Sequence, residues 1–201
     1  MSPKEKASVP DAGVFEEAIC FAVQAHSGME RKNGSPYILH PLEVAAIAGT
    51  ITDDPEVLAA AVLHDTVEDT PTTIGEIRSR FGERVAALVS SETEDKRADM
   101  PPCDSWLVRK EESLAELQDA ADIGTKIMWL SDKLSNMRSF LQLYRAEGDA
   151  LWHRFNQKDP VKQAWYYRSV AAYTNELSDT DAWKEYTKLT EEVFKGVQHN
   201  G

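Results

Sequence analysis

Cysteine is scarce in this chain. Cys20 and Cys103 are the two among 201 residues, and their separation fits no metal-binding or disulfide-rich pattern. Both read as free thiols of a reducing compartment, which points to the cytoplasm. Long apolar runs are missing too, so no segment is fit to cross a bilayer. Residues 1–10 carry two lysines but lack the apolar stretch of a signal peptide, and they read as a flexible arm. Positive charge is in deficit: 22 Lys and Arg face 34 Asp and Glu, a net charge of -12. A surface of that sign repels a nucleic-acid backbone, so general DNA or RNA binding is excluded. A small anionic ligand is not excluded, because a metal ion and a few local cations reverse the field inside one cleft. Strand signals are also absent. No segment sustains apolar–polar alternation, and the Asn33-Gly34 pair joins helical patterns in an ordered loop.

What remains reads as helix nearly throughout. Val14 to Ala25 has helical apolar spacing. Pro41 opens a second helix with His40 just before it, and Asp54-Pro55 repeats the device. Thr73-Ile74-Gly75-Glu76 is a capping box for a short helix ending near Gly82, and another runs from Glu83 to Glu94. Asp104 is the expected cap of a charged helix to about Ala121. A long helix is expected over Ile123 to Arg145, one from Asp159-Pro160 to about Leu177, and a last one from Asp181 to Val197. There is no internal repeat, low-complexity segment or linker. The expected architecture is a single all-α multi-helix bundle over residues 11–201.

Val62-Leu63-His64-Asp65-Thr66-Val67-Glu68-Asp69-Thr70 is the most telling stretch. It follows an apolar run that reads as a buried helix. Four ionisable groups then arrive at i, i+1, i+4 and i+5, which share one side of a helix. Buried charge is costly unless paired or bound to metal, so this helix enters a polar cleft. Imidazole and carboxylate ligands suit divalent transition metals, and a catalytic site leaves coordination positions open. Further donors are His26, His40 and Asp132, with Asn136 one turn beyond Asp132.

The ordered set of motifs resembles the HD-domain phosphohydrolases, and more closely the small stand-alone RelA/SpoT-type alarmone hydrolases. The matching pieces are Ala25-His26-Ser27-Gly28, Arg31-Lys32-Asn33-Gly34-Ser35-Pro36-Tyr37-Ile38-Leu39-His40-Pro41, Leu63-His64-Asp65-Thr66-Val67-Glu68-Asp69-Thr70, Phe81-Gly82, Thr93 with Lys96, and Leu130-Ser131-Asp132-Lys133-Leu134-Ser135-Asn136-Met137-Arg138. They span roughly residues 14 to 140, and the part from about 141 to 201 diverges. The resemblance implies that His40, His64, Asp65 and Asp132 hold a divalent metal, usually manganese. It implies that Glu68 and Asp69 are the catalytic pair. It also implies that Arg31, Lys32, Lys96 and Asn136 line a nucleotide and phosphate pocket, with Tyr166 matching an aromatic near the ligand. The implied reaction removes pyrophosphate from the 3′ position of guanosine 3′,5′-bis(diphosphate). Two other readings stay open: a phosphohydrolase of another nucleotide, such as a 5′-nucleotide or the 2′-phosphate of NADPH, and a catalytically silent nucleotide sensor.

Plainer readings hold elsewhere. His153 and His199 match no motif and read as structural or solvent-facing. His26 reads as a packing or supporting residue. Lys133 and Arg138 read as partners of nearby acids, and Trp106, Trp129, Trp152 and Trp183 as core. Nothing in the sequence indicates an oligomeric state.

Overall fold

The computed structural model describes residues 13–31, 34–95, 97 and 99–197. The expected flexible arm at 1–10 lies outside them. The chain runs through α1 (Val14–Ala25), α2 (Leu39–Ala48), α3 (Pro55–Leu63), α4 (Thr66–Asp69), α5 (Ile74–Phe81), α6 (Glu83–Ser90), α7 (Pro102–Asp119), α8 (Ile123–Glu147), α9 (Pro160–Tyr173) and α10 (Asp181–Val193). Short 3₁₀ turns cover Gly148–Arg154 and Asn175–Leu177. Among the described residues there is no strand, only one isolated bridge between Glu30 and Pro36. None of their helices is long and apolar enough to cross a membrane.

α3 is the centre of the bundle. It packs against α1, α2, α6 and α8. Val57 and every residue from Ala59 to Leu63 are buried, so the helix has no polar face. The three consecutive alanines let neighbouring backbones come close. Full burial of a side chain such as Leu63 contributes about 1.5–3 kcal/mol. α8 crosses α3 and also contacts α2 and α10, so the two helices that frame the site share one core.

Their starts are tied together. Asp54 caps α3 by accepting from the Glu56 amide at 3.0 Å, and Asp122 caps α8 by accepting from the Gly124 amide at 2.8 Å. Arg84 of α6 donates to both, at 2.7 Å to Asp54 and 3.0 Å to Asp122. Burial works against the Asp54 carboxylate, but Arg84 and the Glu56 amide outweigh it; Arg84 likewise holds Asp122 below its usual range. A depressed carboxyl stabilises the fold above its unfolded pKa, and that contribution fades as pH falls through the folded value. The cluster is more than one-third exposed at Arg84, so solvent screens it. Arg84→Met is therefore expected to cost about 1 kcal/mol at pH 7. The deficit against wild type should shrink in urea melts below about pH 4. An equal deficit at both pH values would contradict this account.

Several boundaries differ from the sequence reading. α2 begins at Leu39, which puts His40 and Pro41 inside its first turn. α7 begins at Pro102, with Pro101 as its cap, so Asp104 lies within the first turn and caps nothing. α6 stops at Ser90, α9 at Tyr173 and α10 at Val193, each short of the expected end.

Candidate active site

The HD-bearing stretch is not one continuous helix. α3 ends at Leu63, His64 and Asp65 form a turn, and a single short turn of helix (α4) carries Glu68 and Asp69. The break swings His64 and Asp65 toward the first turn of α2 and the middle of α8. There His40, His64, Asp65 and Asp132 meet. His40 Nε2 lies 3.0 Å from Asp132 Oδ1 and 3.6 Å from Asp65 Oδ2. His64 Nε2 lies 3.1 Å from Asp65 Oδ2 and 3.6 Å from Asp132 Oδ1. The ligand atoms of His40, His64 and Asp65 all fall within 4.8 Å of one another, a spacing fit for one cation.

The hydrogen bonds around the two imidazoles decide where their protons sit. His64 Nδ1 lies 2.9 Å from the Ala61 carbonyl, which can only accept, so Nδ1 carries the hydrogen. Ser135 Oγ donates its hydrogen to Glu43 at 2.8 Å, so it accepts from His40 Nδ1 at 2.9 Å. Glu43 is fixed in turn by Arg138, which also grips Glu185. Both rings thus turn Nε2 inward, toward two carboxylates. His64 Nε2 is buried without a hydrogen-bond partner. Two buried carboxylates this close to the ring nitrogens call for a positive charge among them, from a proton or a bound cation. Burial alone would lower the His64 pKa, yet Asp65 and Asp132 raise it well above the ordinary value. The same field attracts a metal cation. The donor set and its supporting hydrogen bonds fit a divalent ion.

Ser135 offers a local test of the tautomer argument. Ser135→Ala is expected to weaken divalent-metal affinity about 10–100-fold, read by competition with a fluorescent chelator. Unchanged affinity would contradict the role given to the Ser135 bond.

Asp132 is the best anchored of the four. Burial opposes its charge, but Lys133 and the two imidazoles hold its carboxyl well below the usual range. Asn136 donates to Asp132 Oδ1 at 2.8 Å, and Lys133 pairs with Oδ2. Lys133 also donates to Glu92 at 2.9 Å and lies over the Trp129 ring. Burial pushes the Glu92 carboxyl up to about 7, against the pull of Lys133. Arg31 reaches Asn136 at 3.5 Å, so the loop before α2 touches the same cluster.

Tyr37 links the candidate ligands to the acidic pair. Its hydroxyl lies 2.7 Å from Asp65 Oδ2 and 2.8 Å from Asp69 Oδ2. Burial and these two carboxylates push its pKa up, so it stays protonated. His26 stacks on Tyr37 with ring centroids 4.9 Å apart. It is buried, neither ring nitrogen has a hydrogen-bond partner, and burial lowers its pKa. It therefore acts as packing behind the site. Glu68 is half-buried and Asp69 exposed on α4.

Of the predicted pocket residues, the structure brings Arg31 and Asn136 to the cluster, while Lys32 and Lys96 lie outside the described residues. Tyr166 is on α9, buried, facing a cavity that Lys133 and Asn136 also line. Tyr37, Ser135, Glu43 and Glu92 were given no role by sequence. Ser135 and Glu43 each lie three residues beyond a candidate ligand, one helical turn on, and that spacing was the available signal. Glu92 carried none.

The family model described as "HD domain" matches residues 18–161. The chain belongs to the HD domain family. The matched span includes all four candidate ligands, Glu68 and Asp69, and ends before Tyr166. The HD domain here is similar to the guanosine-3′,5′-bis(diphosphate) 3′-pyrophosphohydrolase of Aquifex aeolicus (strain VF5), 40% identical over 133 residues, covering 66% of this chain and 18% of that protein. The chain thus spans less than a fifth of that relative's length. Among solved structures it resembles a protein of Listeria monocytogenes EGD-e, with TM-score 0.67, 32% identity, and coverage of 81% of this chain and 98% of the other. A metazoan ortholog of SpoT, described as hydrolysing ppGpp, shares the fold at TM-score 0.68 and 24% identity, covering 96% of this chain and 100% of the other. The RelA/SpoT-type resemblance read from the motifs agrees with these relatives.

Proposed function

We propose that this HD domain is a metal-dependent phosphohydrolase that removes pyrophosphate from the 3′ position of guanosine 3′,5′-bis(diphosphate). The observation that carries the reading is the pair of inward Nε2 atoms facing Asp65 and Asp132, with both Nδ1 hydrogens already committed. His40, His64, Asp65 and Asp132 would hold the ion, and we take manganese as that ion. A divalent cation held there supplies a Lewis acid for phosphate oxygens and acidifies water.

The chain's own residues supply the rest. Hydrolysis puts water's oxygen on the proximal phosphorus, breaks the bond to the 3′ oxygen and returns a proton to that oxygen. Glu68 and Asp69 are the groups that move these protons. The Tyr37 hydroxyl, within 2.8 Å of both Asp65 and Asp69, ties this pair to the candidate metal ligands. Arg31, Lys32 and Lys96 offset phosphate charge, and Asn136 lines the same pocket. Two exposed free cysteines suit a reducing cytoplasm.

The test is product analysis. Manganese-loaded protein is incubated with guanosine 3′,5′-bis(diphosphate), 5′-nucleotides and NADPH. Pyrophosphate released from the first compound is the expected result. Orthophosphate released from another compound, or binding without turnover, would overturn the proposal in favour of a different phosphohydrolase or a sensor.

A further inference from the structure

Beyond the HD-domain match, the chain carries one end of a line of hydrogen bonds that reaches the candidate ligand His40. The family model ends at residue 161, and α10 lies after it. Glu185 of α10 holds Arg138 of α8 by two bonds: its Oε1 accepts from Nε and its Oε2 from Nη2, each at 2.8 Å. Arg138 Nη1 donates to Glu43 Oε1 on α2 at 3.0 Å. Glu43 Oε2 accepts from Ser135 Oγ at 2.8 Å, and Ser135 Oγ accepts from His40 Nδ1 at 2.9 Å. Three helices thus meet along one line of side chains.

Each link depends on the next. Ser135 is buried, and its single hydrogen is directed by Glu43. In a helix, a serine hydroxyl whose hydrogen is not claimed turns to a backbone carbonyl one turn back. Burial does not fix Glu43, whose side chain is 37% exposed; Arg138 does. Arg138 is long, and the fork onto Glu185 sets its plane. Exposed ion pairs usually contribute little, but bidentate arginine–carboxylate pairs and charge networks are the exceptions. Arg138 also holds the Glu185 carboxyl below its usual range. α10 itself is firmly seated: Tyr186, next to Glu185, is fully buried, and its hydroxyl donates to the Tyr167 carbonyl at 2.8 Å.

We infer that Glu185 is a positioning residue for His40, acting from α10 through Arg138, Glu43 and Ser135. It keeps the Ser135 oxygen turned to His40 Nδ1, and so keeps His40 Nε2 aimed at Asp65 and Asp132. The divergent C-terminal helix thereby becomes a working part of the site. The inference rests on the metal-dependent reading for its consequence: a loosened His40 holds a divalent ion less tightly.

The test uses the full chain and two readouts, neither of them turnover. Manganese affinity is measured by competition with a fluorescent chelator in wild type, Glu185→Ala, Ser135→Ala and the double variant, with thermal melts as a fold control. Glu185→Ala should weaken manganese binding about tenfold. In the Ser135→Ala background the same change should add less than about twofold, because the link to His40 is already cut. Glu192→Ala is the matched control: Glu192 is also on α10 and also 41% exposed, but it pairs with Arg145. It should leave affinity within about twofold of wild type. Solvent exchange of the His40 Nδ1 hydrogen, followed by proton NMR on metal-free protein, should quicken in Glu185→Ala and not in Glu192→Ala. The inference is overturned if affinity or exchange in Glu185→Ala matches wild type, if Glu192→Ala behaves as Glu185→Ala does, or if the loss is undiminished in the Ser135→Ala background. Quickened exchange in a protein that takes up no manganese would sink the metal-dependent reading and keep the tie between α10 and His40.

Discussion

Asp65→Ala protein is expected to lose its divalent ion and to hydrolyse guanosine 3′,5′-bis(diphosphate) about a thousandfold more slowly than wild type, a barrier increase of about 4 kcal/mol. Asp65 Oδ2 faces both imidazoles, at 3.1 and 3.6 Å. Removing it strips one negative charge from the cluster and leaves Tyr37 with Asp69 alone. The fold should survive, because Asp65 sits in a turn with its side chain 20% exposed, outside the apolar core. Elemental analysis of the dialysed variant reads the ion, and a pyrophosphate assay reads the rate. Full metal content with full activity would remove Asp65 from the ligand set.

The second expectation separates proton handling from metal holding. Glu68→Gln should keep the ion and lose about 10²–10⁴ in kcat. Glu68 lies on α4, one turn beyond His64 and past the break that ends α3, and it is half-buried. Its amide analogue keeps size and polarity but cannot take or give a proton. The split between retained metal and lost kcat distinguishes it from Asp65→Ala. Wild-type kcat in Glu68→Gln would assign proton transfer to Asp69 alone. Loss of the ion would make Glu68 a ligand instead.

Local chemistry made much of this fold legible. Asp54, Thr73 and Asp159 each cap the helix that sequence expected, by accepting from an amide two or three residues on. Caps are local, and so they can be read from residue order. The turn at His64 and Asp65 was not legible, because the apolar pattern before it runs into the acids without a glycine or proline to mark a stop. Tertiary contacts with α2 and α8 decide that break. The four candidate ligands came from motif resemblance and do converge. Their hydrogen-bonded supports did so less visibly: Ser135 and Glu43 follow the ligands by one turn, whereas Glu92 is 41 residues from Lys133 and reaches it only through packing. The cavity toward α9 draws on the segment whose sequence pattern diverges most.

The most direct measurement is pulsed electron paramagnetic resonance on the manganese-loaded protein. Neutral His40 and His64, each held by its Nδ1 hydrogen bond, predict one ion per chain with two directly coordinated imidazole nitrogens. One of the two should vanish in His40→Ala and the other in His64→Ala. An ion showing no nitrogen coupling, or a protein that takes up no ion, would contradict the account.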